Sequence, residues 1–140
     1  MFDTEIVTAK FNEFLSFRGL EFTAIIIGGA ALNLLGVVSR GTKDIDALDT
    51  DFPEEIYLAI RDFADQEGLD HYWFNSGPSD LVKDLPVDWK NNIQKIYSGG
   101  SLVLYTLGRL DLIRSKIWAL CDRQIDLGDC IALNPTNNEL

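Results

Sequence analysis

Apolar side chains recur at helical spacing from the start of the chain. Val7, Phe11, Phe14 and Leu15 keep an i, i+4, i+7, i+8 rhythm, which predicts an amphipathic helix over residues 3 to 18 with Gly19 as its stop. Phe22 to Ile27 then reads as a strand with two apolar faces, the pattern of a central strand. A short helix is expected over Ala30 to Leu35, ended by Gly36, and a second strand over residues 44 to 48. Asp51-Phe52-Pro53-Glu54 has the form of a helix start, with Asp51 as cap, Pro53 in the first turn and Glu54 at a capping-box-like spacing. Ile56, Ala59, Ile60, Phe63 and Ala64 line one face of that helix up to Gly68. Residues 71 to 75 are expected to form a strand, and Ser76 to Trp89, broken by Pro78 and Pro86, a loop with one helical turn. Lys95 to Ser98 and Leu102 to Thr106, joined through Gly99-Gly100, predict a hairpin. A helix over Leu110 to Leu120, with Leu110, Ile113, Ile117 and Leu120 on one side, and a last helix from about Asp126 to Leu133 complete the prediction.

The fold class this implies is α/β (α+β): a small mixed sheet flanked by helices, with the C-terminal helices packed on one side. Length suggests one domain over residues 1 to 140, in which about 109 to 133 is a helical extension. There is no internal repeat and no low-complexity segment. Thr136-Asn137-Asn138-Glu139 has capping-box spacing with one residue after it, which fits a chain cut short or a fraying tail as well as an ordinary polar end.

Composition narrows the function classes. The chain is 46% hydrophobic and 24% charged, ordinary for a globular protein, and no apolar run is long enough for a membrane span. MFDTEIVTAK lacks the basic start and apolar stretch of a signal peptide, so a cytoplasmic location is expected. Net charge is −10, which argues against broad charge-driven binding to nucleic acid without excluding a local basic patch or contact with one RNA end. Cys121 and Cys130 stand in apolar, helical-looking sequence and read as packing residues; the lone His71 reads as structural.

The chemistry concentrates in IIIGGAALNLLGVVSRGTKDIDAL, residues 25 to 48. A strand ends in Gly28-Gly29, a helix follows, and the next strand carries Asp44 and Asp46. Two residues apart in a strand, these carboxylates share one face while Ile45 points into a core. Glycines at a helix start let a phosphate approach backbone N–H groups, and two fixed acids suit the magnesium ion that accompanies a polyphosphate. The plain alternatives are a tight strand-to-helix turn and a solvated strand edge bearing two surface acids. Arg40 and Lys43 can contact phosphate or an acceptor, or serve as surface charges beside a turn.

This segment resembles the nucleotidyltransferase superfamily that includes DNA polymerase β, whose signature is an apolar run, Gly-Gly or Gly-Ser, a helix and Asp-apolar-Asp. The preceding Arg40-Gly41-Thr42-Lys43 is similar to the Arg-x-Thr-x-Asp-apolar-Asp form of small bacterial members, above all the AbiEii-type toxin group. Those groups carry a lysine on a helix and an acidic pair about ten residues later. Leu112-Ile113-Arg114-Ser115-Lys116 and Asp126-Leu127-Gly128-Asp129 match that order. The resemblance implies transfer of a nucleoside monophosphate from a magnesium-bound nucleoside triphosphate to a hydroxyl of tRNA or protein, in a toxin with a cognate antitoxin.

Lys116 also has a reading of its own. On its helix it falls between Leu112 and Leu120, inside the apolar arc, where an unpartnered lysine is unusual. It can bind the triphosphate or the leaving pyrophosphate, form an ion pair with Asp126 or Asp129, or reach out to water. Arg123, a heptad later, lies near the same face. Asp126 and Asp129 can position the acceptor or orient Lys116. One departure stands out: polymerase-like members add a third carboxylate on a later strand, and Ser101 to Thr106 contains none, while Asp80, Asp84 and Asp88 fall in the expected loop. Besides an enzyme, the sequence therefore fits a nucleotide-binding or regulatory module of little activity, antitoxin-like, or a structural protein in which Gly28-Gly29 is only a turn.

Overall fold

A computed structural model describes residues 1–37, 41–77, 82–83 and 85–113. Its frame is a five-stranded mixed sheet: β1 (Phe22–Ile27), β2 (Ile45–Ala47), β3 (Phe74–Ser76), β4 (Gln94–Ser98) and β5 (Leu102–Thr106), in the spatial order β3-β2-β1-β5-β4. β1 runs antiparallel to β2 and parallel to β5; β2 and β3 are parallel, and β4 and β5 form the expected antiparallel hairpin. With α1 (Thr4–Phe17), α2 (Gly28–Leu34) and α3 (Glu54–Glu67), this is the mixed α+β class expected from the sequence.

The central position of β1 follows from its two apolar faces. Phe22, Ala24 and Ile26 enter one hydrophobic cluster with Val7, Phe11 and Leu15 of α1 and with Ile56, Ala59, Ile60, Phe63 and Ala64 of α3. Ile25 and Ile27 turn to the other face, where Leu32, Leu48, Trp89, Leu107, Leu112 and Ile113 form a second, smaller cluster. Helices α1 and α3 thus cover one face of the sheet. The opposite face is covered in part by the 3₁₀ turn Trp89–Asn92 and by residues 109–113, which are helical. The prediction for Leu110 to Leu120 is met over those first residues. The rest of that helix, the one expected over Asp126 to Leu133, both cysteines and the polar tail lie outside the described residues.

Trp73 anchors the larger cluster. It is fully buried, its ring meets Phe11, Phe63 and Phe74 with centroids 5.0, 5.1 and 5.6 Å away, and its indole N–H donates to the Ile60 carbonyl at 2.9 Å. That anchoring shifts the third strand. Residues 71–73 form a turn that drops Trp73 into the core, so β3 begins at Phe74 and not at residue 71. Two helix starts also differ from expectation. Gly28 adopts φ +78°, which turns the chain straight out of β1, so α2 begins there and not at Ala30. At α3, Pro53 is itself the N-cap, with no side chain capping the first turn, so Asp51 does not serve as cap. Gly68, in the left-handed region at φ +70°, ends α3 as expected.

Candidate active site

Strand register assembles the site from three chain segments. β1 and β2 pair Ile26 with Ala47 and Ile27 with Asp46, which brings the end of β1, and with it Gly28, against Asp46. Ile45 and Ala47 are buried in the larger cluster, so the alternation of the strand turns Asp46 to the opposite, more open face. Asp44 stands just before β2, exposed, and its charge acts on Asp46. The inward Ile45 is present; β2 starts after Asp44, so strand alternation applies to Asp46 alone. A methyl group added at Gly28 would lie 3.7 Å from Asp46 Oδ2, and one at Gly29 would lie 3.6 Å from Thr42 Oγ1. The glycine pair therefore adjoins Asp46 and the loop that leads to it.

That loop is fixed locally. Phe2 and Thr42 exchange backbone hydrogen bonds at 2.9 and 3.2 Å, and the Thr42 hydroxyl donates to the Asp44 carbonyl at 3.0 Å. Gly41 lets the two segments meet, since a Cβ there would sit 3.0 Å from the Phe2 carbonyl oxygen. Beside the loop, Lys43 and Asp44 line one wall of a cleft of about 610 Å³ whose other walls include Leu69, Asp70, the exposed Tyr72 and the buried Trp73.

Two neighbours of Asp46 were not anticipated. β2 and β3 pair Asp46 with Asn75, so the strand beside the acids is β3, whereas β5, where a third carboxylate was sought, lies on the far side of β1. Asn75 donates from Nδ2 to the Tyr72 carbonyl at 2.8 Å, and its amide is near enough to Asp46 to favour the ionised carboxylate. Gly77 then packs against the strand: its N–H donates to the Ala47 carbonyl at 2.6 Å, and a Cβ there would come within 3.1 Å of Asp46 Cβ. A polar residue followed two places later by glycine at the end of an apolar segment was the available signal. The apolar pattern that predicts a strand over residues 71 to 75 ends on Asn75 and masks that signal.

Electrostatics single out Asp46. Partial burial raises its carboxyl above the ordinary aspartate range, the Asp44 charge adds to the rise, and the Asn75 hydrogen bond offsets part of it. Among the described residues no group of three His, Cys, Asp or Glu side chains is placed to hold a metal alone. Two acids nevertheless suit magnesium, which is commonly held by one or two carboxylates together with substrate phosphates. His71 instead meets Asp65 at 2.6 Å on the surface, in keeping with a structural role. Arg40, Lys116, Arg123, Asp126 and Asp129 lie outside the described residues.

Among the described residues no helix is long and apolar enough to cross a membrane. Searches among curated proteins and among solved structures gave no match. A family model described as nucleotidyltransferase of unknown function (DUF6036) matches residues 5–132, a span that takes in the glycine pair, both acids, Asn75 and the downstream lysine and acidic pair. By that match the chain belongs to the DUF6036 family of nucleotidyltransferases.

Proposed function

We propose that this nucleotidyltransferase moves a nucleoside monophosphate from a nucleoside triphosphate to an acceptor hydroxyl. The hydroxyl oxygen bonds to the α-phosphorus, the bond from that phosphorus to the bridging oxygen breaks, pyrophosphate leaves, and the hydroxyl proton passes to solvent. The observation that carries the reading is the placement of Gly28 beside the Asp46 carboxylate where β1 pairs with β2, with Asp44 near enough for its charge to act on Asp46. Asp44 and Asp46 would hold magnesium, which when bound neutralises charge on the phosphates and the departing pyrophosphate.

In this reading Gly28 and Gly29 leave room for phosphate oxygens beside the backbone. Lys43, exposed at the mouth of the cleft, and Arg40 meet the triphosphate or the acceptor. Lys116 binds the leaving pyrophosphate, and Asp126 orients Lys116 or the acceptor. Likeness to the AbiEii-type toxins supports tRNA or a protein as acceptor, a cognate antitoxin as partner, and a cytoplasmic setting. A second reading, a nucleotide-binding module of little activity, is favoured by one feature: the position in register with Asp46 holds an amide, Asn75, and not an acid.

Incubation with magnesium, each labelled nucleoside triphosphate, bulk tRNA and protein extract, followed by pyrophosphate release and label transfer, separates the readings. Transfer that falls at least about 100-fold in Asp46→Asn is expected for an enzyme, on the scale of losing a group that acts on developing charge. Transfer left unchanged by that substitution overturns the assignment, and nucleotide binding without turnover supports the second reading.

A further inference from the structure

The transfer described above needs a place for its acceptor, and a cleft adjoins Asp44. It opens at the end of the sheet where β1 finishes and β2 and β3 begin, with Lys43 and Asp44 on one wall and Asp70, Tyr72 and Trp73 on others. At about 610 Å³ it falls within the roughly 300–1,000 Å³ of small-molecule sites.

A rigid turn displays Tyr72 in this cleft. Tyr72 is 73% exposed, whereas Trp73 beside it is buried. The Tyr72 N–H donates to Asp70 Oδ1 at 2.8 Å, its carbonyl accepts from Asn75 Nδ2 at 2.8 Å, and the Trp73 N–H donates to the Asp70 carbonyl at 3.0 Å. The Trp73 carbonyl in turn accepts the Ile45 N–H at 2.6 Å, which fixes the turn against the chain one residue past Asp44. A rigid aromatic side chain on so fixed a backbone offers contact area at little cost in conformational entropy. It suits a planar, uncharged group, and a nucleobase stacks on such a ring whatever its sequence.

Position separates acceptor from donor nucleotide. The strand order β3-β2-β1 sets Asp46 between Gly28, on the β1 side, and the turn that leads into β3. Attacking and leaving oxygens stand roughly in line on opposite sides of the phosphorus. With the triphosphate on the glycine side, the attacking hydroxyl comes from the side of the cleft. Lys43 is there to meet a phosphate of the acceptor.

We infer that this cleft is the acceptor subsite and takes a terminal nucleoside, its base stacked on Tyr72 and its hydroxyl turned towards Asp44. A free nucleoside and the end of a single nucleic-acid strand share this chemistry. The inference rests on the nucleotidyltransferase reading of the adjoining acids.

Two probes test it: 2-aminopurine riboside, and a short single-stranded RNA with 2-aminopurine at its 3′ end. The emission of this base is quenched when it stacks on an aromatic ring. The full chain is expected to quench at least one probe, and the quenching is expected to persist when magnesium and a non-hydrolysable ATP analogue are added. Tyr72→Ala should weaken binding at least about fivefold, the low end of what stacking on one aromatic side chain is worth, and Tyr72→Trp should retain it. Quenching of both probes identifies a nucleoside as sufficient; quenching of the RNA alone identifies a strand end. Displacement of the probes by the analogue would put the base of the donor nucleotide in the cleft and overturn the assignment. So would equal binding by wild type and Tyr72→Ala, or no quenching of either probe, including the case in which label passes only to protein. These outcomes leave the nucleotidyltransferase reading standing on its own assay, the loss of transfer in Asp46→Asn.

Discussion

Asp46 carries a cost that its neighbours do not remove. An acid whose pKa folding has raised stabilises the native state while it is protonated. That contribution is whole below the ordinary aspartate value of 3.8 and is lost as pH rises through the raised value. At neutral pH the metal-free protein therefore holds an ionised Asp46 partly out of water and next to Asp44. Asp46→Asn removes the charge and keeps a polar group for Asn75 to meet. The substitution is expected to raise the melting temperature of the metal-free protein at pH 7, and the gain should shrink as pH is lowered towards 4. A substituted protein that melts below the wild type at pH 7, measured in chelator, would show that the charge is not a net cost. Residues whose identity lowers stability where they stand are expected at functional sites. How far this was legible depends on the residue. Asp46 was readable because period-two alternation turns it away from the buried Ile45 and Ala47. Asn75 was not, because its meaning depends on which strand lies beside β2, and no local pattern in a strand of three residues encodes its neighbour.

At the scale of elements, the periodic segments were legible and the turns between them less so. α1, β1, α3 and the β4–β5 hairpin match their patterns closely, since each buries a continuous apolar face and ends at a glycine. β3 slid because Trp73 gains more as a buried ring in contact with Phe11 and Phe63 than as a strand residue. The hairpin has a tie that its own sequence does not reveal. Asn12, on α1, accepts hydrogen bonds through Oδ1 from the backbone N–H groups of Ser101 at 3.0 Å and Leu102 at 2.9 Å. Gly99 is required beside it, because a Cβ there would fall 2.5 Å from Asn12 Cγ. Since β5 pairs with β1, the strand that leads to Gly28, this tie helps hold the site's frame. Asn12→Ala leaves two partly buried donors unmet and is expected to lower unfolding free energy by about 1–3 kcal/mol in urea titration. Asn12→Asp, which keeps the accepting oxygen, should recover most of the loss. Equal losses in the two variants would mean that the hydrogen bonds are not the source.

The whole molecule is acidic, with a net charge of −10 and a pair of carboxylates near Gly28 that repel one another. Two kinds of relief are available and they can be told apart. Simple salt screens exposed like charges everywhere, and at about 0.15 M it reduces interactions beyond roughly 8 Å. A divalent ion seated between Asp44 and Asp46 instead acts at one place and stabilises by mass action, by about 2.7 kcal/mol at a hundred times its dissociation constant. Raising sodium chloride should therefore raise the melting temperature of the wild type and of Asp46→Asn by similar amounts. Magnesium with a nucleoside triphosphate, compared at matched ionic strength, should raise the wild type further and Asp46→Asn little. The nucleotide alone, in chelator, should have little effect on either, because its phosphates would face the two acids with no cation between them. If magnesium and nucleotide stabilise both proteins equally, the binding site lies elsewhere and the glycine–aspartate edge is only a turn beside a charged strand. If the gain is confined to the wild type, the acidity near Gly28 is a property of the site, built to be completed by a substrate that brings its own cation.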